Sequence, residues 1–484
     1  MNNNLSPNKD TFLNKKIFSG LIWKFSERIC AQLVSLIVSI ILARLLSPDD
    51  YGAIAVVMIF ITLANVLVSS GFGSALVQKK DADDLDFSSV FWINLLFGFV
   101  LYTFLFAVSP AIARFYKMPV LTNVLRLLGI RIVFASINTV QQAYVSRKML
   151  FRLFFIATII GTVISGIVGV FLAYAGFGIY ALVVQYLLNA VIDTIVLGIV
   201  IDWRPSFVCS LARAVSLMSF GWKILISGLL DTGYTQIRGL IIGKIYTVGD
   251  LAFYNQGDKF PSIIVTNVNS SIQSVLFPAL AMSQDNIAKI KEMTRKSIKV
   301  SSYILWPIMI GFIAISEPFV KLVLTDKWLP CVPYLRIFCI SYGMWPIHTA
   351  NLQAIKALGR SDIFLKLEII KKTIGVISIF ATVYFGPYVM AIGLVVTGII
   401  SMFINAFPNI KLLNYSITEQ LKDMLPSLIL AIVMGAIVYP ISLLPLPLIV
   451  TIIIQVMLGG ITYIAESALI KYGVFFYLIG LIKK

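Results

Sequence analysis

The sequence predicts an all-α polytopic membrane protein of about fourteen transmembrane helices: two six-helix lobes related as parallel repeats, then two more helices. Three observations predict it. Hydrophobic residues make up 59% of the 484 residues and charged ones 13%, with mean hydropathy +0.93, which places nearly the whole chain in a bilayer. Apolar stretches of the length a spanning helix needs, about 20 residues, recur along the whole chain. Finally, polar residues inside those stretches recur at constant offsets, as an internal duplication would leave them.

Spans are expected near 17–46, 51–77, 87–113, 119–145, 151–175, 178–201, 211–246, 250–282, 298–316, 330–357, 363–385, 387–410, 424–443 and 446–470. This gives a cytoplasmic N-terminus (1–16), an N-lobe (17–201), a C-lobe (202–410), two further helices (411–470) and a cytoplasmic C-terminus (471–484). The N-terminus does not read as a cleavable signal, because the apolar run that follows is longer than an h-region. Orientation comes from the basic residues. Lys15–Lys16, Lys79–Lys80, Arg147–Lys148, Arg152, the 289–299 segment, Lys371–Lys372 and Lys483–Lys484 fall on one side. Only scattered cations such as Arg44, Arg114, Lys117, Lys244, Lys321 and Lys327 fall on the other. The positive-inside rule then puts both termini in the cytoplasm. The formal charge of +17 is therefore mostly topology, and no nucleic-acid partner is expected.

The first span carries Lys24, Arg28, Gln32, Ser35 and Ser39, spaced four, four, three and four, which is one stripe of an α-helix. The seventh repeats it 199 residues later as Lys223, Ser227, Asp231, Tyr234 and Arg238, with Trp23 matched by Trp222. Each charge at mid-bilayer costs about 2.5–3.5 kcal/mol on insertion scales, so these stripes are expected to face a shared cationic cavity. Span two holds Ser69, Ser70, Gly71 and Gly73, read as a close-packing face. In span four, Leu125-Arg126 and Asn138-Thr139 match Leu335-Arg336 and His348-Thr349 of span ten, both at an offset of 210. Six helices per copy, an even number, makes the repeats parallel, the plan of a two-lobed transporter.

Spans five and six are bland apart from Asp193 and are expected to pack outside the first lobe. Span eight carries Asn255, Lys259, Ser262, Thr266, Asn269 and Gln273 as one stripe, suited to a cavity wall or to a polar helix seam, and Pro261 is expected to kink it. The segment 283–299 reads as a short amphipathic surface helix attracted to anionic lipid. The four cysteines, Cys30, Cys209, Cys331 and Cys339, have no paired or metal-like spacing and read as small apolar residues.

Enzyme chemistry finds no footing in the pattern. His348 is the single histidine and has no evident nucleophile beside it; no Walker A or H-E-x-x-H sequence occurs. No metal or cofactor is expected, and His348 reads as a helix–helix hydrogen-bonding group or a proton relay. Among the intramembrane charges, cations outnumber acids. Arg126 and Arg336 sit near span ends where they can snorkel. The remaining cations, Lys24, Arg28, Arg131, Lys223, Arg238 and Lys259, are the candidate substrate-binding set. Gln32, Gln142, Asn255 and Asn269 are the candidate polar wall, and Asp231, Asp258 and Glu27 are candidates for ion coupling to H+ or Na+. Phosphate suits such a surplus, because Arg offers a bidentate fork and Lys a point charge.

Several pieces of the chain are similar to the polysaccharide-exporter family of the multidrug/oligosaccharidyl-lipid/polysaccharide (MOP) superfamily, in the Wzx-type flippase branch that includes colanic-acid and teichuronic-acid exporters. They are Gly20-Leu-Ile-Trp-Lys24, Ser70-Gly-Phe-Gly-Ser-Ala-Leu-Val-Gln-Lys-Lys80, Phe91-Trp-Ile-Asn94, Phe277-Pro-Ala-Leu280, Thr325-Asp-Lys-Trp328 and Ala354-Ile-Lys-Ala-Leu-Gly-Arg360. Their order covers nearly the full length. The resemblance implies the MOP flippase fold, two lobes around a central cavity, and a bacterial inner-membrane location. It implies as substrate an oligosaccharide on an undecaprenyl-pyrophosphate carrier, flipped by alternating access for O-antigen, lipopolysaccharide, capsule or exopolysaccharide synthesis. Membrane lipid and glycan polymerase or assembly proteins are the implied partners. The family has no invariant motif naming cavity residues, so the site assignments rest on the helical stripes. The rival readings are a cation-coupled multidrug exporter of the same superfamily, a membrane glycan polymerase or acyltransferase, and a structural partner of glycan synthases.

Overall fold

The computed structural model describes residues 29–482, and among these no strand occurs. The helices are α1 (described from Ile29 to Leu45), α2 (Pro48–Ser69), α3 (Phe72–Gln78), α4 (Asp84–Tyr116), α5 (Val120–Lys148), α6 (Phe151–Tyr174), α7 (Ile179–Val200) and α8 (Leu211–Ile245). After them come α9 (Val248–Ala281), α10 (Ile287–Leu324), α11 (Val332–Gly343), α12 (Trp345–Ala357), α13 (Ser361–Thr382), α14 (Pro387–Leu412), α15 (Ile417–Val438), α16 (Leu448–Leu469) and α17 (Gly473–Ile482). A helix stands at every predicted span position. Ten spans, counting α2 with α3 as one, are long and apolar enough to cross a membrane, and α8, bent by 56°, makes up to eleven. The other predicted positions hold α1, the α11–α12 pair and α13, which is compatible with fourteen crossings. The chain is a multi-pass, all-α membrane protein. Leu96, Phe99, Val100 and Phe104 stand exposed along α4, as a helix solvated by lipid requires.

Helix starts follow from local chemistry. α2, α4 and α15 each open with a capping box, Ser47 with Asp50, Asp83 with Asp86, and Ser416 with Glu419. Each box satisfies backbone donors that a helix leaves orphaned. The Asp83 carboxyl is held down to about 2, first by the hydrogen bond from the Arg213 guanidinium and then by the Asp86 backbone N–H.

The described residues up to Gly249 form one compact unit and those from Asp250 form the other. This contact boundary lies one helix beyond the lobe boundary expected at 201/202. The reason is the 201–210 connection, which is fastened to α4. Trp203 packs among Phe87, Phe91 and Tyr144 with ring centroids 5.9, 6.0 and 6.2 Å away. The Ser206 and Ser210 backbone N–H groups donate to the Ser88 and Ser89 hydroxyls at 3.1 and 2.9 Å. Arg213, at the start of α8, then pairs with Asp83 at 2.6 Å. In this unit α4 packs on α5, α6 on α7, α5 on α2 and α7, and α8 on α2, α3 and α4.

The small residues of span two do pack a helix. α2 ends at Ser69 and α3 begins at Phe72, and at this break Gly71 meets Gly221 of α8. A Cβ on Gly221 would lie 2.6 Å from the Gly71 carbonyl oxygen. Gly221→Val is therefore expected to push α8 off the break and cost about 1–3 kcal/mol. Thermal melting followed by size-exclusion chromatography checks this, and an unshifted melt would show that the approach tolerates a side chain.

In the second unit α10 is the hub, packed on α15, α11, α16 and α12. Here the sequence expectation is corrected. The 283–299 segment is not a separate surface helix, because α10 starts at Ile287 and runs 38 residues without interruption. Three of its basic residues are committed to α15: Arg295 and Lys299 to Asp423 at 2.6 and 3.1 Å, and Lys291 to Glu419 at 3.3 Å. Tyr415 adds a hydrogen bond to Asp423 at 2.8 Å. The opposite charges lie on a neighbouring helix, which local periodicity cannot show. α9 continues without a break across Pro261. Cys331 and Cys339 are buried as expected of small apolar residues, whereas Cys30 and Cys209 are exposed, and all four are free.

Candidate functional site

The repeat markers turn out to be fasteners inside each unit. Arg126 Nε donates to the Ser109 hydroxyl of α4 at 3.1 Å, and Arg336 Nε to the Ser316 hydroxyl of α10 at 2.9 Å. Each serine donates onward to the carbonyl three residues back, of Phe106 and Ile313. Asn138 donates to Asp193 of α7 at 3.0 Å, while its counterpart His348 meets Asn405 of α14 at 3.0 Å. Gln141 reaches the Thr194 carbonyl at 3.2 Å, and its counterpart Asn351 accepts from Asn409 at 2.6 Å. The same two pairs of helices are clamped in both units, α4 with α5 and α5 with α7 in the first, α10 with α11 and α12 with α14 in the second, so Arg126, Arg336 and His348 are all tied to neighbouring helices.

Among the candidate residues of the first unit, Arg131 on α5 lies in electrostatic reach of Asp193 and Tyr186, with Nη1 3.9 Å from the Met58 sulfur of α2. Span six is not bland at Asp193, whose carboxylate joins α5 and α7 beside this cation. Gln142 donates to the Asn138 side-chain amide oxygen Oδ1, extending the same network. Asp193 was missed because it stands alone in an apolar run.

The α8 stripe is distinct from this network. Lys223, Ser227 and Asp231 are exposed, and Tyr234 and Arg238 are half-buried. The Arg238 Nε is buried yet has no hydrogen-bond acceptor among the described residues. An unpaired guanidinium donor on a membrane helix is costly unless an anion completes it. Gln32, on α1, is half-buried. Lys24, Arg28 and Glu27 lie outside the described residues.

In the second unit, Tyr342 donates to Asp258 at 2.5 Å. Gly257 makes this possible: a Cβ there would lie 2.9 Å from the Leu335 backbone nitrogen and 3.0 Å from the Cys331 carbonyl, so α9 and α11 meet backbone to backbone. Lys259 is half-buried and Asn255 exposed. Asn269 accepts from the Thr349 hydroxyl of α12, which makes that part of the span-eight stripe a helix seam. The same unit holds an apolar pocket of about 420 Å³ between α9, α10, α15 and α16, lined by Pro307, Gly311, Phe312, Met434, Gly459 and Tyr463 among others. Nothing in the sequence pattern locates it, because its wall comes from helices 150 residues apart.

Comparisons with known proteins agree with this architecture. The chain is 25% identical over 442 residues to the teichuronic acid biosynthesis protein TuaB of Bacillus subtilis (strain 168), covering 89% of this chain and 90% of that one. It is 24% identical to the lipopolysaccharide biosynthesis protein WzxC of Escherichia coli (strain K12), covering 74% and 73%. A solved structure of the lipid II flippase MurJ in an inward closed conformation superposes with a TM-score of 0.76 at 16% identity, over 93% of this chain and 98% of that one. An inward-facing multidrug-resistance transporter of the MOP superfamily superposes at 0.61 and 15%, over 81% and 98%. The fold is therefore the one shared by these MOP transporters. The family model described as "Polysaccharide biosynthesis protein" matches residues 41–333, more than half of the chain. On that match, with the duplicated helical plan beneath it, the chain belongs to the polysaccharide biosynthesis protein family.

Proposed function

We propose that this protein is a flippase that moves an undecaprenyl-pyrophosphate-linked oligosaccharide across the bacterial cytoplasmic membrane for surface polysaccharide synthesis. The observation that carries the reading is the α8 stripe, where exposed Lys223 and the Arg238 Nε, which has no acceptor among the described residues, offer positive charge within a membrane helix. A diphosphate is the natural complement of such groups: Arg binds it through a fork and Lys as a point charge. Lys24 and Arg28 on the first stripe, with Arg131 and Lys259, extend the cationic set. The largely apolar walls contributed by α15 and α16, with Gln455 the polar exception, suit the polyprenyl tail, which stays in a hydrocarbon environment while the head crosses. Relatives named for teichuronic acid, succinoglycan and lipopolysaccharide biosynthesis support the substrate class.

Transport proceeds by alternating access of the two lobes, with both termini in the cytoplasm. Asp258, held by Tyr342, and Asp231 are the proposed coupling sites for H+ or Na+, with Glu27 a third. Deleting the gene is expected to abolish surface polysaccharide and to strand lipid-linked oligosaccharide in the inner leaflet, as leaflet-specific labelling of membrane vesicles would show. Normal polysaccharide combined with new drug sensitivity would replace this reading with the multidrug-exporter one.

A further inference from the structure

The first unit contains an open pocket of about 430 Å³ where α2, α3 and α5 converge, lined by Ser69, Ser74, Gln78, Thr139, Gln142 and Ser146. Its volume falls within the ~300–1,000 Å³ of small-ligand sites. None of the residues that line it is charged. We infer that it is a carbohydrate subsite, holding sugar of the oligosaccharide head apart from the groups that hold the diphosphate; the inference rests on the flippase reading.

The chemistry of the lining selects among ligands. A diphosphate needs cations; none lines this wall, and two of those beside it, Lys79 and Arg147, are already committed. Arg147 donates to the carbonyls of Leu76, Lys79 and Lys80, and Lys79 pairs with Asp86 at 2.6 Å. A hydrocarbon tail would cover hydroxyls and amides without pairing them, which is unfavourable. Sugar hydroxyls are both donors and acceptors, and so is this wall. The Ser69 and Thr139 hydroxyls donate to the carbonyls of Asn65 and Ala135 at 2.7 and 2.8 Å, leaving their oxygen lone pairs to accept. Ser74, Ser146 and the Gln78 amide add donors.

The pocket is also built rather than incidental. Arg147 ties the end of α3 to α5, and the break at Gly71 turns the Ser74–Gln78 face to this position. Gly73 has no Cβ where one would lie 3.0 Å from the Thr139 methyl group, so α3 and α5 approach closely at its base. Gln78 and Ser146 adjoin Lys79, Lys80, Arg147 and Lys148. In the proposed orientation that is the cytoplasmic end, where a glycan head is loaded.

The test uses the purified full-length protein in nanodiscs with two probes: undecaprenyl pyrophosphate alone, and the same carrier bearing the source cell's oligosaccharide, extracted from its membranes. Gln142 and Ser146 are exposed, so Gln142→Leu and Ser146→Leu remove hydrogen-bonding groups from the wall, Gln142 also giving up its bond to Asn138. The double variant should bind the glycosylated carrier about tenfold or more weakly, with the bare carrier unchanged, as the loss of one or two hydrogen bonds predicts. Equal weakening of both probes, or of neither, overturns the subsite. So does a wild-type protein that holds the bare and glycosylated carriers equally well, which would leave the flippase reading standing. A wild-type protein that binds neither probe removes both.

Discussion

Replacing Lys223 and Arg238 together with Gln should reduce surface polysaccharide to the level of the deletion, at unchanged membrane abundance. A hydrogen bond to a charged group contributes about 1.5–3 kcal/mol. Each single substitution should therefore weaken binding of undecaprenyl pyrophosphate by roughly 10- to 100-fold, and the double variant by more. Arg238→Lys should restore part of the loss, because it keeps the charge but gives up the planar fork. Lys321→Gln is the control for net charge. It removes the same charge from a surface pair with Glu317 at 3.0 Å, worth at most about 1 kcal/mol, and should leave export intact. Unchanged carrier affinity in the double variant, or equal loss in the control, would remove the α8 stripe from the site. Lys24→Gln and Arg28→Gln extend the comparison to the matched stripe of the first span.

The second large effect is structural. Trp203→Ala should lower stability by about 3–5 kcal/mol, the usual cost of deleting a buried tryptophan, because the indole is 7% exposed and contacts three aromatic rings. Its Nε1 has no hydrogen-bond acceptor among the described residues, so the loss is one of packing. At about 2–4 °C per kcal/mol for a unit of this size, the melting temperature in detergent should fall by about 6 °C or more. Trp203→Phe should recover much of it. A Trp203→Ala melt within about a degree of wild type would mean that the 201–210 connection does not fasten α8 to its unit through this ring.

The duplicated fasteners bear on how a membrane transporter of this plan holds together. Lipid tails supply no hydrophobic drive for one helix to join another, so packing and interhelical hydrogen bonds carry the association. Here Arg126–Ser109 and Arg336–Ser316 secure one helix pair in each unit, and Asn138–Asp193 and His348–Asn405 secure another. Polar side chains in an apolar span can thus serve either cohesion or substrate. The distinguishing sign is a partner. Arg126 has one, whereas the Arg238 Nε has none among the described residues.

What the sequence by itself determined is everything that repeats or alternates locally. Runs of about 20 apolar residues placed the spans. Constant offsets between Trp23 and Trp222 and between Leu125-Arg126 and Leu335-Arg336 revealed the duplication, and the polar stripes named the helices that carry charge. Tertiary structure decided which of those polar groups are already spent. Asp193, an isolated acid in an apolar run, is brought to Asn138 from 55 residues away. Lys291, Arg295 and Lys299 meet their acids on α15, more than 120 residues on. The 420 Å³ apolar pocket has walls from four helices, and α8 belongs by contact to the unit before it. The physical reason is the same in each case. Helical periodicity records which side of a helix is polar, whereas the partner that satisfies a polar group depends on which distant helix packs there.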